Sequence, residues 1–272
     1  MPKAFSLASW NVEHFRGDPE RTDRVLSFLE AQSPDIFALY EIEGSNAFAG
    51  LVERMPGYTF HITEGRQTQE ILVGLRSGLT GFFTQRLEFK SGSSYLRPGA
   101  LLTVVVDGAS YPILFLHTKS GDDPKGLGLR DDMLTRAIDF RKALDRAFDA
   151  EAGANYLFLG DLNVMGMRYT YARDRDIPAQ TELHKLERKA ARRDLRRLSK
   201  SAQATWSGGS TSSYPDSDLD QVIAAEHLRF KSFGGADVDV RGWTEEESAA
   251  DRDRWIREHS DHALLYLEVQ KV

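Results

Sequence analysis

Six short polar signatures hold the residues of this chain that can do chemistry, each at the end or the entrance of an apolar run. They read Ser-Trp-Asn-Val-Glu (9–13), Leu-Tyr-Glu (39–41), Leu-His-Thr-Lys-Ser (116–120), Leu-Gly-Asp-Leu-Asn (159–163), Asp-Leu-Asp-Gln-Val (218–222) and His-Ser-Asp-His (259–262). Carboxylates, carboxamides and histidines delivered by different strand ends can together hold a hard cation and move protons around a phosphate. The chain has no cysteine, which excludes disulfides and thiolate catalysis and leaves only oxygen and imidazole as metal ligands.

Asp161 and Asn163 follow the buried run Tyr-Leu-Phe-Leu and Gly160. Two apart on an extended segment, their side chains point the same way and converge beyond the sheet. In isolation the pair would read as a turn at a strand end. Asp261 and His262 stand at the entrance of the last apolar strand, where a carboxylate beside an imidazole favours its charged form. Glu41 ends Asp-Ile-Phe-Ala-Leu-Tyr and must reach solvent at the sheet rim or hold a cation. Asn11 can orient that glutamate or ligate weakly through its carbonyl oxygen, and Glu43 reads as a solvated residue. His117 ends Tyr-Pro-Ile-Leu-Phe-Leu, and Asp220 enters a buried strand, where it needs an imidazolium or a backbone cap as partner. Arg97 and Lys119 are candidates for contact with substrate phosphate.

These residues have to be positioned by a sheet. Strands are expected at 4–10, 35–40, 58–62, 71–76, 100–107, 112–117, 155–160, 219–225 and 263–269. Helices are expected from the Asp18-Pro19 cap through Ala31, over 128–149, from about Thr181 to Ala202, and from Thr244 to Arg257. The helix over 128–149 would put Leu134, Ala137, Ile138, Arg141, Leu144 and Phe148 on one face. Apolar strands mixed with helices indicate an α/β (α+β) fold with a sheet core and helices outside. No linker divides the 272 residues, so a single domain over 1–272 is expected, with a basic helical insertion at about 181–202.

That insertion is the one strongly cationic segment in a chain of net charge −6. Over 182–200 it carries eight basic residues against three acidic ones, a local +5. Lys185, Arg188, Lys189, Arg192, Arg193, Arg196 and Lys200 share one half of a helical wheel, and leucines occupy the other. Such runs are more often a solvated helix face, but this one lies between two of the signatures, so contact with a nucleic-acid backbone is expected. No run approaches the roughly 20 apolar residues of a membrane span. The start Met-Pro-Lys-Ala-Phe lacks the apolar core of a signal peptide, so a cytoplasmic protein is expected.

From Trp10-Asn11 to Asp261-His262, the six signatures and their order resemble the endonuclease/exonuclease/phosphatase family. The resemblance implies a four-layer α-β-β-α sandwich with two central mixed sheets and an active site at one rim. It implies that Asn11 and Glu41 bind Mg²⁺ or Mn²⁺, and that Asp261 completes the metal site beside His262. It further implies that Asp161 and Asn163 position the attacking water, and that Asp220 orients His117 as a general acid or phosphate ligand. Leu162 stands where many members carry Phe. The activity expected is metal-dependent phosphodiester hydrolysis in DNA or RNA. The alternatives are a phosphatase on small phosphate esters and a non-catalytic nucleic-acid-binding protein, and the oligomeric state is left open.

Overall fold

The computed structural model describes residues 2–16, 18–43, 45–65, 69–148 and 153–272, with the backbone alone at 45 and 46. Two six-stranded mixed sheets lie face to face. The first is ordered β11 (Asp239–Arg241), β12 (Leu264–Gln270), β1 (Lys3–Phe15), β2 (Ile36–Ile42), β4 (Glu70–Arg76) and β3 (Tyr58–Ile62). The second is ordered β5 (Thr80–Arg86), β6 (Gly99–Val106), β7 (Ala109–His117), β8 (Leu157–Asp161), β10 (Asp220–Ala225) and β9 (Leu195–Arg197). Each sheet has one parallel pair at its centre, β1 with β2 and β7 with β8. A parallel pair needs a crossover, which α1 (Pro19–Gln32) and α3 (Pro124–Phe148) provide. The ends of both pairs line one cavity at a rim of the sandwich; four of the six signatures are those strand ends, and the other two enter β10 and β12.

Alternation along β1 sorts its side chains between the layers. Phe5 meets Tyr111 of β7 at 5.3 Å, and Ser9 meets the Tyr40 hydroxyl, which donates to Leu159 O of β8, so this face turns to the second sheet. Trp10 turns the other way, onto Phe28 of α1 and Trp255 of α5 (Ala249–Glu258). Asp18 caps α1 by accepting the Glu20 N–H, with Pro19 in the first turn, as its sequence predicts. The remaining helices are α2 (Ser45–Arg54) and α4 (Ala179–Ala191).

Several boundaries differ from expectation for local reasons. The helix expected to Ala202 ends at Ala191, and Asp194 turns with φ +53° into strand β9. Leu195 and Leu198 are thus buried by a strand and its exit, not by a helical face. The helix expected over 244–257 is a short turn at Trp243–Glu245 followed by α5, which Ser248 caps by accepting the Asp251 N–H. In α3, Phe148 is exposed while Leu134, Ala137, Ile138, Arg141 and Leu144 are buried; residue 149 lies outside the described residues. Strands β5, β9 and β11 and helix α2 are additional.

Candidate active site

In the second sheet, His117 pairs in register with Asp161 across β7 and β8, and Asp161 pairs with Asp220 across β8 and β10. The three side chains therefore stand in a row on one face, with Asp161 in the middle. From the first sheet come Asn11 and Glu41 at the ends of β1 and β2, and from the approach to β12 come Asp261 and His262. All of these except Asn11 and Asp220 line one cavity of about 830 Å³, together with Asn163 and Arg97.

The row explains one departure from expectation. Asp220 does not orient His117, because Asp161 stands between them; it accepts a 2.8 Å hydrogen bond from Nδ1 of His262 instead. Burial opposes a charge on that imidazole, yet the carboxylates of Asp220 and Asp161 outweigh it and raise His262 to about 10. His262 is therefore an imidazolium at neutral pH. His117 is the opposite case. Burial, with the positive charges of Arg97 and His262 nearby, pushes its pKa well below the usual value. It is a neutral imidazole with Nε2 3.4 Å from Asp161 Oδ2 and 3.7 Å from Glu41 Oε1, and its buried Nδ1 has no hydrogen-bond partner.

Asp161 is 2% exposed. Burial raises its carboxyl to about 6, with Asp220 and Glu41 pushing the same way and His262 and the Asn11 amide pulling it down. Asn11 Nδ2 donates to Asp161 Oδ2 at 3.0 Å and to Glu41 Oε1 at 3.2 Å, while its carbonyl oxygen accepts the Glu13 N–H. In this orientation Asn11 ties two carboxylates together. Glu41 Oε2 accepts the backbone N–H of His14. Glu41 itself has φ +64° and Asn163 φ +47°, left-handed conformations that cost of order 1–3 kcal/mol each and concentrate at functional sites. Asn163 donates its N–H to Asp161 Oδ1 and its side-chain amide to Thr118 O.

Arg97 is largely buried and donates Nε to Gln69 O and a second nitrogen to Gln69 Oε1, with its guanidinium on the cavity wall. Lys119 donates to Ser120 O and is not among the cavity-lining residues. Glu43, expected to be solvated, is instead held by His14 and Arg16, and its side chain is 13% exposed.

The local backbone is built for this convergence. Gly160 has φ +139°, and a Cβ there would stand 2.1 Å from Leu116 O and 2.6 Å from the Tyr40 hydroxyl. Gly160→Ala is therefore expected to cost on the order of 3 kcal/mol through strain and overpacking. A urea midpoint equal to that of wild type would contradict this. On the other side, Arg21 of α1 donates to the carbonyls of Val12, Glu13 and His259, so one guanidinium ties the end of β1, which carries Asn11, to the segment that carries Asp261.

Sequence reasoning passed over Trp206, His14 and Gln69. Trp206 lines the cavity and donates its indole N–H to Asp261 Oδ2 at 2.6 Å. The signal available for it was its position between the candidate residues Asn163 and Asp220. His14 and Gln69 meet at 2.8 Å over Glu41, and neither ends an apolar run.

The basic segment is largely neutralised. Lys185 and Lys189 pair with Asp131, Arg193 with Asp139, Arg196 with Asp237 and Lys200 with Asp218. Arg188 and Arg192 have no ion pair among the described residues. Arg196 lies on β9, not on the helix.

Three groups of candidate metal ligands can be distinguished by their partners. Asp161, Asp220 and His262 bring ligand atoms within 4.8 Å of one another. Asp220 and His262 already occupy each other, however, so a cation there would have to break a buried ion pair. Glu41 and Asp161 share the Asn11 amide. Asp261 Oδ1 is buried and accepts no hydrogen bond; its nearest cationic neighbour among the described residues is Nε2 of His262 at 3.9 Å, too long to saturate the oxygen.

The sequence matches the profile of the Endonuclease/Exonuclease/phosphatase family over residues 8–264. Among solved structures, truncated TDP2 from Caenorhabditis elegans superposes with a TM-score of 0.67 at 14% identity, covering 98% of this chain and 97% of that one. D. rerio TDP2 in complex with a single-strand DNA product gives 0.62 at 17% identity, with 98% of each chain covered. A mannosyl-6-phosphatase from Bacteroides thetaiotaomicron gives 0.60 at 14% identity, covering 98% of this chain and 99% of that one. At these identities the likeness establishes the fold. No curated protein sequence matches the chain significantly.

Proposed function

Because the chain belongs to the endonuclease/exonuclease/phosphatase family, we propose that the rim cavity is the active site of a divalent-metal-dependent phosphoesterase that hydrolyses phosphodiester bonds in nucleic acid. The observation that carries this reading is the single row His117–Asp161–Asp220, with a neutral imidazole and an imidazolium on either side of its central carboxylate.

The donor set fits Mg²⁺ or Mn²⁺, because it is all oxygen and includes Oδ1 of Asp261, which is buried and accepts no hydrogen bond. Glu41 and Asp261 would hold the ion, with Asn11 keeping Glu41 in place. Bound there, a divalent cation neutralises charge on the phosphoryl oxygens. The other work falls to the chain. Asp161, ionised above about pH 6 and oriented by Asn11 and the Asn163 N–H, takes the proton of the attacking water. His262 already carries a proton at neutral pH, so it would give that proton to the leaving oxygen as the scissile P–O bond breaks, with Asp220 stabilising its charge. His117 offers a neutral N–H, and Arg97 and the Asn163 amide face the same phosphate.

A D. rerio TDP2 with a DNA product supports a nucleic-acid substrate, and a mannosyl-6-phosphatase of the same fold keeps a small phosphate ester as the second reading. The neutralised basic segment favours contacts inside the cavity over a track along α4. Replacing Arg192, Arg193 and Arg196 together by Gln is thus expected to leave the KM of a single-stranded oligonucleotide and its salt dependence within about twofold of wild type. A large KM increase with a flatter salt dependence would restore the segment as a nucleic-acid contact. Phosphate release from small phosphomonoesters without oligonucleotide cleavage would move the protein to the second reading.

A further inference from the structure

One fully buried and fully hydrogen-bonded charged group is outside the catalytic row. Arg130 of α3 is 0% exposed, and each of its five N–H groups has an acceptor. Two go to the carboxylate of Glu182, in the first turn of α4, both at 3.0 Å. Two go to the carbonyls of Lys119 and Gly121, in the loop that leaves His117, and the fifth to the carbonyl of Gly166, in the loop that leaves Asp161 and Asn163. Glu182 closes the circuit by accepting the Gly166 N–H at 2.8 Å.

Glycine makes this approach possible. Gly166 has φ +76°, and a Cβ there would stand 2.1 Å from Ile177 O; a Cβ on Gly126 would stand 2.4 Å from Gly121 O. The three segments joined by the ion pair form a continuous part of the cavity lining: Ser120–Asp122, Val164–Met165, and Ala179, Gln180 and Leu183. These residues share the cavity with the catalytic row without belonging to it, so they are available to the part of a substrate attached to the phosphate.

We infer that Arg130 and Glu182 are positioning residues, a buried clasp that fixes the substrate-facing wall of the cavity and thereby sets which phosphate esters fit. The inference rests on the rim cavity being the active site. It also gives α4 a different role from that read in its sequence: the helix serves the site through one buried carboxylate, not through its outward cations. The clasp requires a planar fork, because a lysine ammonium is a single point with three donors and cannot make the bidentate pair and reach both loops.

The test uses Glu182→Gln and Arg130→Lys in the full chain. Displacement of the wall is expected to raise the KM of a short single-stranded oligonucleotide about tenfold, with kcat within about threefold. Bis(p-nitrophenyl) phosphate, which occupies only the phosphate end, should keep both constants. In parallel, hydrogen–deuterium exchange is expected to accelerate over 118–123 and 163–168 while β1, β7 and β8 keep their protection. Equal losses on both substrates, or unchanged exchange in the two loops, would overturn the clasp. If wild type turns over neither substrate, the phosphoesterase reading fails, and the exchange measurement still decides the clasp.

Discussion

Asp161→Asn lowers kcat by on the order of 10³-fold and leaves a folded protein, the loss expected when a positioned proton acceptor is removed. The carboxylate is at the centre of the row, accepting from Asn11 and from the Asn163 N–H, with His117 and His262 on either side. An amide of the same shape has one oxygen and can accept only one of those two bonds. One donor is then left facing an NH₂ group, which costs about 1–3 kcal/mol. That is well short of the stability of a domain this size, so melting should shift and not collapse. The pH profile gives a second check. Burial holds the Asp161 carboxyl near 6, so kcat/KM in wild type should fall as pH drops below that value, and a bound cation would move this limb to lower pH. Wild-type turnover in folded Asp161→Asn would remove Asp161 from the chemistry.

Asp220→Asn is the second large effect. His262 owes its charge to Asp220 first and to Asp161 next, against the opposing effect of burial. Its folded value of about 10 lies above the usual 6.5, so the pair contributes stability in full below about pH 6.5. That contribution is lost as pH rises through about 10. With Asn at 220 the imidazole loses its main support, and the alkaline fall in both stability and kcat/KM moves toward neutral pH. Turnover at pH 7 should drop by roughly 10²–10⁴-fold, the contribution of a positioned general acid that has lost the carboxylate holding its proton. Measurement of kcat/KM from pH 5 to pH 10 on both proteins separates the cases. An unmoved alkaline limb with turnover near wild type would show that His262 acts without Asp220.

The rim of the sandwich was legible in the sequence because its residues stand at the ends of apolar runs, and strand ends of parallel pairs must share a side. Glu41, His117 and Asp161 are readable for that reason. The partner of Asp220 was not, because it depends on inter-strand register: only the β7–β8–β10 pairing shows that Asp161 blocks the path to His117. The basic segment misled in a similar way. Its periodicity over 182–200 is helical, but Asp194 turns the chain, and the acids that neutralise it at 131, 139 and 237 come from elsewhere in the sequence. Strand β5 escaped notice because it is a sheet edge with Phe82 72% exposed, so no buried alternation marks it. Arg130 looked like any other arginine on a helix, since only its neighbours in space show all five donors satisfied.

The central claim is metal-dependent phosphoester hydrolysis at the rim cavity. Its most direct test is hydrolysis of a single-stranded oligonucleotide and of bis(p-nitrophenyl) phosphate across a Mg²⁺ and Mn²⁺ titration, with EDTA and Asp161→Asn as controls. Turnover that rises with metal, stops with EDTA and is lost in Asp161→Asn is the predicted result. Turnover unaffected by EDTA, or shared equally by Asp161→Asn, would contradict it.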